Sequence, residues 1–343
     1  LGAGDTPSRE VSNVSKASEV SSPSDVGNMI AEVLRRYIGA DDDSIRLLAV
    51  WILHTWVYRR LATTPRLLVS SILPGSGKST LLDWLAHLCY QPLAMASVSS
   101  AALLARAAAD GGTLLIDEAD RTLRKDNPLA ADLLAISNSG YKNGGARPTL
   151  EPVKGGGWER VDLSTWCPVV FAGNDPDLPD DTRSRCIPVF LYPSDDVRDT
   201  DWELIEDGDP YSQPPTPPDA GYPALADAIH GWVQSHGETA IMRRPRLDPC
   251  VKGRMREKWL PLARVAQTLA DYDGGDGESV SWLDTVRRLA VADVEQQADD
   301  VALGLRNSSP HTALVAVIAR LWSAQWPGLG FVGSARLCAA LAS

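Results

Sequence analysis

The sequence contains little cysteine, and its cysteines are far apart in the chain. There are five of them, at Cys89, Cys167, Cys186, Cys250 and Cys338. No two have the spacing of a metal-ligand pair, and an odd number does not complete a disulfide framework. We therefore expect reduced thiols in a cytoplasmic protein.

Long apolar runs are also missing. No run approaches the roughly 20 apolar residues that a membrane span needs. The amino terminus lacks the basic stretch and apolar stretch of a secretory signal, so we expect no membrane partner. The first residue is leucine, which is compatible with a piece of a longer protein.

Basic residues are fewer than acidic residues. The 33 Lys and Arg residues face 44 Asp and Glu residues, which gives a formal net charge of -11. This balance argues against a protein that binds nucleic acid over its whole surface, so any such contact must be local. The length of 343 residues allows one full domain with one or two smaller satellites.

A glycine-rich stretch at residues 73–80 follows an apolar run and precedes an apolar helical pattern. Two glycines let the backbone turn its N–H groups inward around phosphate oxygens, a lysine adds positive charge, and a serine hydroxyl suits Mg²⁺. The predicted ATP ligands are Pro74, Gly75, Ser76, Gly77, Lys78, Ser79 and Thr80. The usual first glycine of this motif is replaced by Ile72, which we interpret as the strand end. The alternative is an ordinary glycine-rich turn.

Polar residues follow two more apolar strands. Asp117 and Glu118 end a strand at 113–116, where Asp117 is predicted to hold Mg²⁺ and Glu118 to orient the attacking water. Asn174 ends the next strand and could reach the γ-phosphate or that water, or simply form a turn. Arg183 and Arg185 precede the last strand, and we predict an arginine finger, Arg185 before Arg183, over surface ion pairs.

A β-hairpin is predicted at residues 150–163 around a Lys-Gly-Gly-Gly tip. Its candidate DNA-binding residues are Lys142, Arg147, Lys154 and Arg160. An ordinary exposed hairpin remains an equal alternative. We expect Trp158 to pack on the hairpin stem rather than to stack on a base.

The order of these segments predicts five regions. They are a flexible linker (1–24), amino-terminal helices (25–62), an ATPase core (63–200), an acidic and proline-rich linker (201–223) and a carboxy-terminal helical lid (224–343). Arg254, or alternatively Arg256, could fold back from this lid onto the nucleotide, or lie on a solvated helix face. His54 is interpreted as a core residue rather than an adenine contact.

Taken together, the motifs resemble those of the AAA+ ATPases. Residues 73–80 resemble a Walker A motif, residues 114–118 a Walker B motif, Asn174 a sensor 1 residue, and residues 184–186 the arginine-finger motif of clamp loaders. The resemblance implies an α/β P-loop NTPase core with a parallel sheet, an amino-terminal helical segment and a carboxy-terminal helical lid.

Four further segments, at 51–55, 64–67, 138–141 and 257–262, resemble an ATPase family of unknown function in phage, prophage and plasmid replication proteins. The hairpin before the sensor 1 strand is similar to the insertion of superfamily 3 helicases. The resemblance implies ATP and Mg²⁺ as cofactors, a homo-oligomeric ring such as a hexamer, single-stranded DNA, and a primase as possible partner. A non-translocating loader and a metabolic or signalling NTPase are the rival functions.

Overall fold

Five short apolar strands form the centre of the protein. The computed structural model describes residues 23–71, 73, 75–95, 100–124, 126–174, 176, 178–197, 202, 221–270 and 281–302, with isolated positions between 315 and 337. The strands, in chain order, are β1 (Arg66–Ser71), β2 (Pro92–Met95), β3 (Thr113–Ile116), β4 (Ala146–Pro152), β5 (Trp158–Ser164), β6 (Val169–Gly173) and β7 (Cys186–Leu191). All but β4 and β5 belong to one parallel sheet in the order β2-β3-β6-β1-β7. The predicted α/β class with a parallel sheet is confirmed.

The helices occur before, between and after these strands. In chain order they are α1 (Pro23–Tyr37), α2 (Asp42–Val57), α3 (Lys78–Leu88), α4 (Ala101–Asp110), α5 (Ala119–Thr122), α6 (Ala130–Ser139), α7 (Asp180–Arg183), α8 (Gly221–Met242), α9 (Gly253–Ala270) and α10 (Trp282–Ala302). Within the described part of the chain, no helix has both the length and the apolarity that crossing a bilayer requires.

Two cores cover the two faces of the sheet. On one face, the amino-terminal helices α1 and α2 pack with the late helices α8, α9 and α10 around Trp51, Trp259 and Trp282. On the other face, α4 and α6 pack against β3 and β6. The predicted amino-terminal helices and carboxy-terminal region therefore share a single helical layer.

Local signals explain where several helices start. The Asp41 carboxylate accepts a hydrogen bond from the Ser44 backbone N–H at 2.8 Å, as the predicted cap of α2 requires. In the same way, the Ser100 hydroxyl accepts from the Leu103 N–H at the start of α4. Strand β1 is buried at all six positions, which is typical of a central strand in a parallel sheet.

Element boundaries differ from prediction mainly at helix ends. The helix predicted at 45–61 ends at Val57 and continues as a 3-10 turn, while α8 extends to Met242 instead of His236. Strand β4 begins at Ala146 rather than Leu150. Most of the linkers predicted at 1–24 and 201–223 lies outside the described residues, but α1 already begins at Pro23 and α8 at Gly221. Nearly all of the helix predicted at 310–322 and of the last element predicted at 335–343 also lies outside the described residues.

His54 of α2 is fully buried, which confirms its interpretation as a core residue. Its Nε2 atom lies 3.0 Å from the Thr64 hydroxyl oxygen. Burial, together with the nearby Arg66 charge, lowers the pKa of His54 to about 3. The imidazole is therefore neutral in the folded protein across the physiological range.

This burial predicts a pH-dependent stability. Between pH 6.5 and pH 5 the unfolded chain protonates His54 and the folded chain does not, so the free energy of unfolding should fall as pH falls. The slope should reach about 1.4 kcal/mol per pH unit. The free energy of unfolding of the wild type and of His54→Gln is measured with urea at each pH. The difference between the two proteins removes the contribution of the carboxylates that both contain. Equal pH slopes in the two proteins would contradict the prediction.

Candidate functional site

A cleft of about 390 Å³ opens at the carboxyl edge of the main sheet. It is lined by residues that follow β1, β3 and β6: Gly75, Gly77, Lys78, Ser79, Thr80, Asp117, Glu118, Asp120, Arg121, Gly173 and Asn174. They meet because the carboxyl ends of parallel strands share one edge of a sheet. The structure therefore brings together the residues predicted to bind phosphate, magnesium and water.

The loop after β1 needs glycine for its backbone conformation. Gly75 and Gly77 have φ angles of +77° and +83°, in the left-handed region that side chains rarely adopt. A Cβ atom on Gly75 would meet nothing within 4 Å, so the backbone angle and not the space selects glycine. The buried Ser76 donates a hydrogen bond from its hydroxyl to the Leu73 carbonyl at 2.7 Å. Ile72 and Pro74 lie outside the described residues.

Lys78 is the first residue of α3 and is held by the strand that precedes the loop. Its Nζ donates a hydrogen bond to the Ser71 hydroxyl at the end of β1. Partial burial lowers the pKa of Lys78, while the charges of Asp120 and Asp117 act in the opposite direction. Ser71 was not predicted as a site residue, because one serine at a strand end carries no distinctive signal.

The two predicted acids lie at a strained turn between β3 and α5. Glu118 has φ +47° and ψ 42°, a left-handed conformation that is uncommon for a residue with a side chain. The Asp117 carboxylate accepts a hydrogen bond from the Glu118 N–H at 2.7 Å. Arg121 donates to Glu118 Oε1 at 2.8 Å, so this carboxylate is already oriented by an arginine in the cleft.

Asp120 connects the β3 turn to the end of β6. Its Oδ1 atom accepts a hydrogen bond from the Asn174 backbone N–H at 3.1 Å. Gly173 makes this approach possible, because a Cβ there would lie 2.5 Å from Asp120 Oδ1. Sequence reasoning missed Asp120 and Arg121, although both follow the predicted acids directly. The role of Asp120 depends on the position of β6, which the local pattern does not show.

The oxygen atoms in the cleft fit Mg²⁺. Ser79 and Asp117 both line the cleft and offer a hydroxyl and a carboxylate. In the described residues, no group of three or more His, Cys, Asp and Glu side chains forms a potential metal site. Mg²⁺ is commonly bound by one or two protein oxygens together with phosphate oxygens and water, which is the donor set that this cleft supplies.

Arg185 lies at the opposite edge of the sheet. The Arg66 N–H at the start of β1 donates to the Arg185 carbonyl at 3.0 Å, so Arg185 adjoins the amino ends of the strands. The six residues of β1 place it about 20 Å from the phosphate loop. Its guanidinium lies 5.7 Å from the ring centre of Tyr141, and its backbone follows α7, which contains Arg183. Arg185 and Arg183 therefore do not line the cleft of their own chain.

Arg254, predicted to fold back onto the nucleotide or to lie on a solvated helix face, is exposed and does not line the cleft of its own chain. Arg254 Nη1 donates to the Ser184 hydroxyl at 2.7 Å, beside Arg185 at the amino edge. The cause is the packing of α9, which lies against α2, α8 and α10 rather than over the cleft. Arg256, the alternative, also begins this helix and is absent from the residues that line the cleft.

The predicted hairpin is formed by β4 and β5, which pair from Ala146 with Ser164 to Pro152 with Trp158. The glycines at its tip, Gly155 to Gly157, all have positive φ angles. The expectation that Trp158 packs on the stem is wrong, because its side chain is 70% exposed. At this position the strand ends beside the glycine turn, and no neighbouring described element covers the indole.

Most of the hairpin's predicted DNA-binding residues are engaged with carboxylates. The ion pairs are Lys142 with Glu257 (2.8 Å), Arg147 with Asp132 (2.5 Å) and Arg160 with Asp162 (3.0 Å). Lys154 at the tip has no ion pair among the described residues. The hairpin between Ala146 and Ser164 carries three basic and three acidic side chains and so no net charge.

Comparison with known proteins does not add to this picture. No protein-family model matches the chain, and no curated protein is significantly similar to it in sequence. The functional argument therefore depends on the residues of the cleft and their geometry.

The close approach of Asp120 and Gly173 leads to a stability prediction. Gly173→Ala places a Cβ 2.5 Å from Asp120 Oδ1 and 2.9 Å from Pro176 Cγ, and should destabilise the fold by about 1–3 kcal/mol. Gly231→Ala in α8 is the matched control, since nothing lies within 4 Å of its Cβ, and it should stabilise by about 0.5–1 kcal/mol. Urea unfolding measures the stability of both variants. An unchanged stability of Gly173→Ala would contradict the prediction that the close approach of Asp120 requires glycine at this position.

Proposed function

We propose that this protein is an AAA+ ATPase that hydrolyses ATP to ADP and phosphate. The observation that carries the proposal is the single cleft in which a glycine-rich loop, Lys78, two acids and Asn174 meet. Left-handed glycines next to a helix amino terminus and a lysine suit polyphosphate. The parallel sheet, with β6 between β1 and β3, is compatible with a P-loop NTPase core.

The residues of the cleft have different roles in hydrolysis. The N–H groups of the loop and Lys78 hold the β- and γ-phosphates and offset the charge that develops on them. Glu118 orients a water molecule and takes up its proton, while the water oxygen bonds to the γ-phosphorus and the bond to ADP breaks. Asn174 lies on the adjoining strand end and contacts the γ-phosphate or the water.

Mg²⁺ would be held by Ser79 and Asp117, and when bound it supplies positive charge to the phosphate oxygens. Asp120 and Arg121 act through their neighbours. Asp120 fixes the Asn174 backbone, and Arg121 fixes the Glu118 carboxylate. Both are positioning residues that keep the acid and the amide at their places around the cleft.

The position of Arg185 supports a homo-oligomer, such as a hexameric ring. The Arg185 backbone lies about 20 Å from the phosphate loop and its side chain does not line the cleft of its own chain, so we infer that it serves the cleft of a neighbouring copy. Head-to-tail contacts of this type close into rings. Stacking on Tyr141 and a hydrogen bond to the Asp181 carbonyl hold the Arg185 side chain in a defined direction.

The hairpin supports action on DNA, most simply as a helicase or helicase-like replication protein of a phage or other mobile element. Its tip offers Lys154 for a phosphate and the exposed Trp158 for a base. A primase is the proposed protein partner. The second candidate is an ATP-dependent loader that does not translocate. The neutral charge of the hairpin favours this candidate, because a phosphate backbone gains little from a surface without net charge.

Hydrolysis should depend on the Glu118 carboxylate. Glu118→Gln should still bind ATP but lose turnover by about 100-fold or more, because the amide cannot take the proton of the attacking water. Glu159→Gln on the exposed hairpin is the matched control and should keep wild-type turnover. Phosphate release and binding of a fluorescent ATP analogue measure the two properties, with and without single-stranded and double-stranded DNA. Normal hydrolysis by Glu118→Gln would refute the assignment of this acid.

A shared active site should allow two inactive variants to rescue each other. Lys78→Ala disables the cleft and Arg185→Ala disables the finger, so each should be inactive alone. In an equal mixture about a quarter of the head-to-tail interfaces combine an intact Lys78 with an intact Arg185, and activity should return in proportion. Activity is measured after mixing, with assembly checked by light scattering. Absence of rescue in assembled mixtures would rule out a finger in trans.

A further inference from the structure

The connection between α8 and α9, together with the start of α9, is strongly basic in an otherwise acidic chain. Residues 243–258 contain seven basic side chains and only two acidic ones. The basic residues are Arg243, Arg244, Arg246, Lys252, Arg254, Arg256 and Lys258. This local excess of positive charge contrasts with the formal net charge of -11 of the whole protein and with the neutral hairpin.

Three arginines form what we call the arginine cluster. Arg244 lies in the connection, and Arg256 and Arg264 lie in α9. Arg244 Nη1 and Arg264 Nη1 both donate hydrogen bonds to the Ile241 carbonyl, at 3.0 and 3.2 Å. The two guanidinium nitrogens are therefore within about 6 Å of each other. Arg256 lies about two turns before Arg264 on the same helix, α9. Burial, and then the charges of Arg244 and Arg256, lower the pKa of Arg264.

The arginine cluster has no compensating anion among the described residues. None of the ion pairs there involves Arg244, Arg256 or Arg264, and the buried Arg264 Nε has no hydrogen-bond partner. Arg256 also lies in the first turn of α9, where the positive end of the helix dipole disfavours a cation and no acidic residue is present. Like charges held this closely repel one another, so an anion at this surface would relieve an unfavourable arrangement.

Part of the cluster is accessible to a large ligand. Arg244 and Arg256 are exposed, and Arg264 is half-buried behind them. Arg244 also donates to the Met242 carbonyl at 3.0 Å, which fixes its guanidinium at the end of α8. Guanidinium groups are planar forks that match the oxygens of a phosphate. Arg246 and Arg254, in the same stretch of the chain, are also exposed.

We propose that the arginine cluster binds the phosphate backbone of a nucleic acid. Several cations spread over an exposed surface suit a ligand that presents repeated negative charges rather than one ion. The contacts would be to phosphates alone and so would not select a base sequence. The proposal rests on the nucleic-acid part of the function proposed above, but it is independent of ATP hydrolysis and of the hairpin.

The test compares Arg244→Gln/Arg256→Gln with the wild type, using fluorescence anisotropy of a labelled single-stranded oligonucleotide and a labelled duplex over a salt series. We expect affinity to fall at least tenfold at low salt. The slope of log affinity against log salt should become shallower by about two charges. Arg35→Gln/Arg124→Gln is the matched control, since it changes the net charge equally at two exposed arginines that pair with Asp42 and Asp126. Circular dichroism confirms that both variants are folded.

Each outcome is decisive. A loss confined to the cluster variant supports the proposal, and Arg244→Lys/Arg256→Lys should then retain most of the salt slope. Equal binding by the cluster variant and the control overturns it. If Lys154→Ala alone removes binding, the hairpin is the site and the proposal is again overturned. If the wild type binds neither oligonucleotide, this proposal and the nucleic-acid part of the proposed function fail together, while the ATPase measurements with Glu118→Gln still test hydrolysis.

Discussion

The hydrogen-bonded pairing of β6 between β1 and β3 is the constraint on which the site depends. Leu67 to Ser70 pair with one edge of β6, and Leu114 to Ile116 pair with the other. This register brings three chain segments, separated by 40 residues or more, to one edge of the sheet. The Asp120 carboxylate then adds a bond between two of the loops. Without this strand order the same residues would form no cleft.

Sequence alone predicts the parts of the site that carry a local pattern. The glycine loop, Lys78 and the Asp117–Glu118 pair each stand next to a strand whose apolar run is easy to recognise. Ser71 escaped prediction because one serine at a strand end carries no distinctive signal, and Asp120 because its role depends on a contact with the neighbouring strand end. The prediction that Trp158 packs on the hairpin stem was wrong because it depends on which surface a distant element covers. The position of Arg254 beside Ser184 depends on the same kind of packing. Local periodicity gives no information about such long-range packing.

The amino edge of the sheet is organised by a buried cation. Arg66 is fully buried and donates hydrogen bonds to the carbonyls of Thr64, Ser137 and Cys167. Burial lowers the pKa of Arg66 to about 10, so the side chain remains protonated at neutral pH. Its guanidinium and that of Arg185 both lie within 6 Å of the Tyr141 ring centre. The start of β1, the end of α6 and the start of β6 are thus fixed to the segment that presents Arg185.

The packing of α1 and α2 on the late helices also affects how the chain folds during synthesis. Helices α1 and α2 leave the ribosome about 160 residues before α8, the first of the late helices on which they pack. Until then the apolar faces around Trp51 and Leu53 have no partner from the late helices. Contacts between such distant segments form slowly, because a long loop must close first. The nascent protein therefore exposes this hydrophobic surface until the late helices have been made, and a surface of this kind favours binding by chaperones.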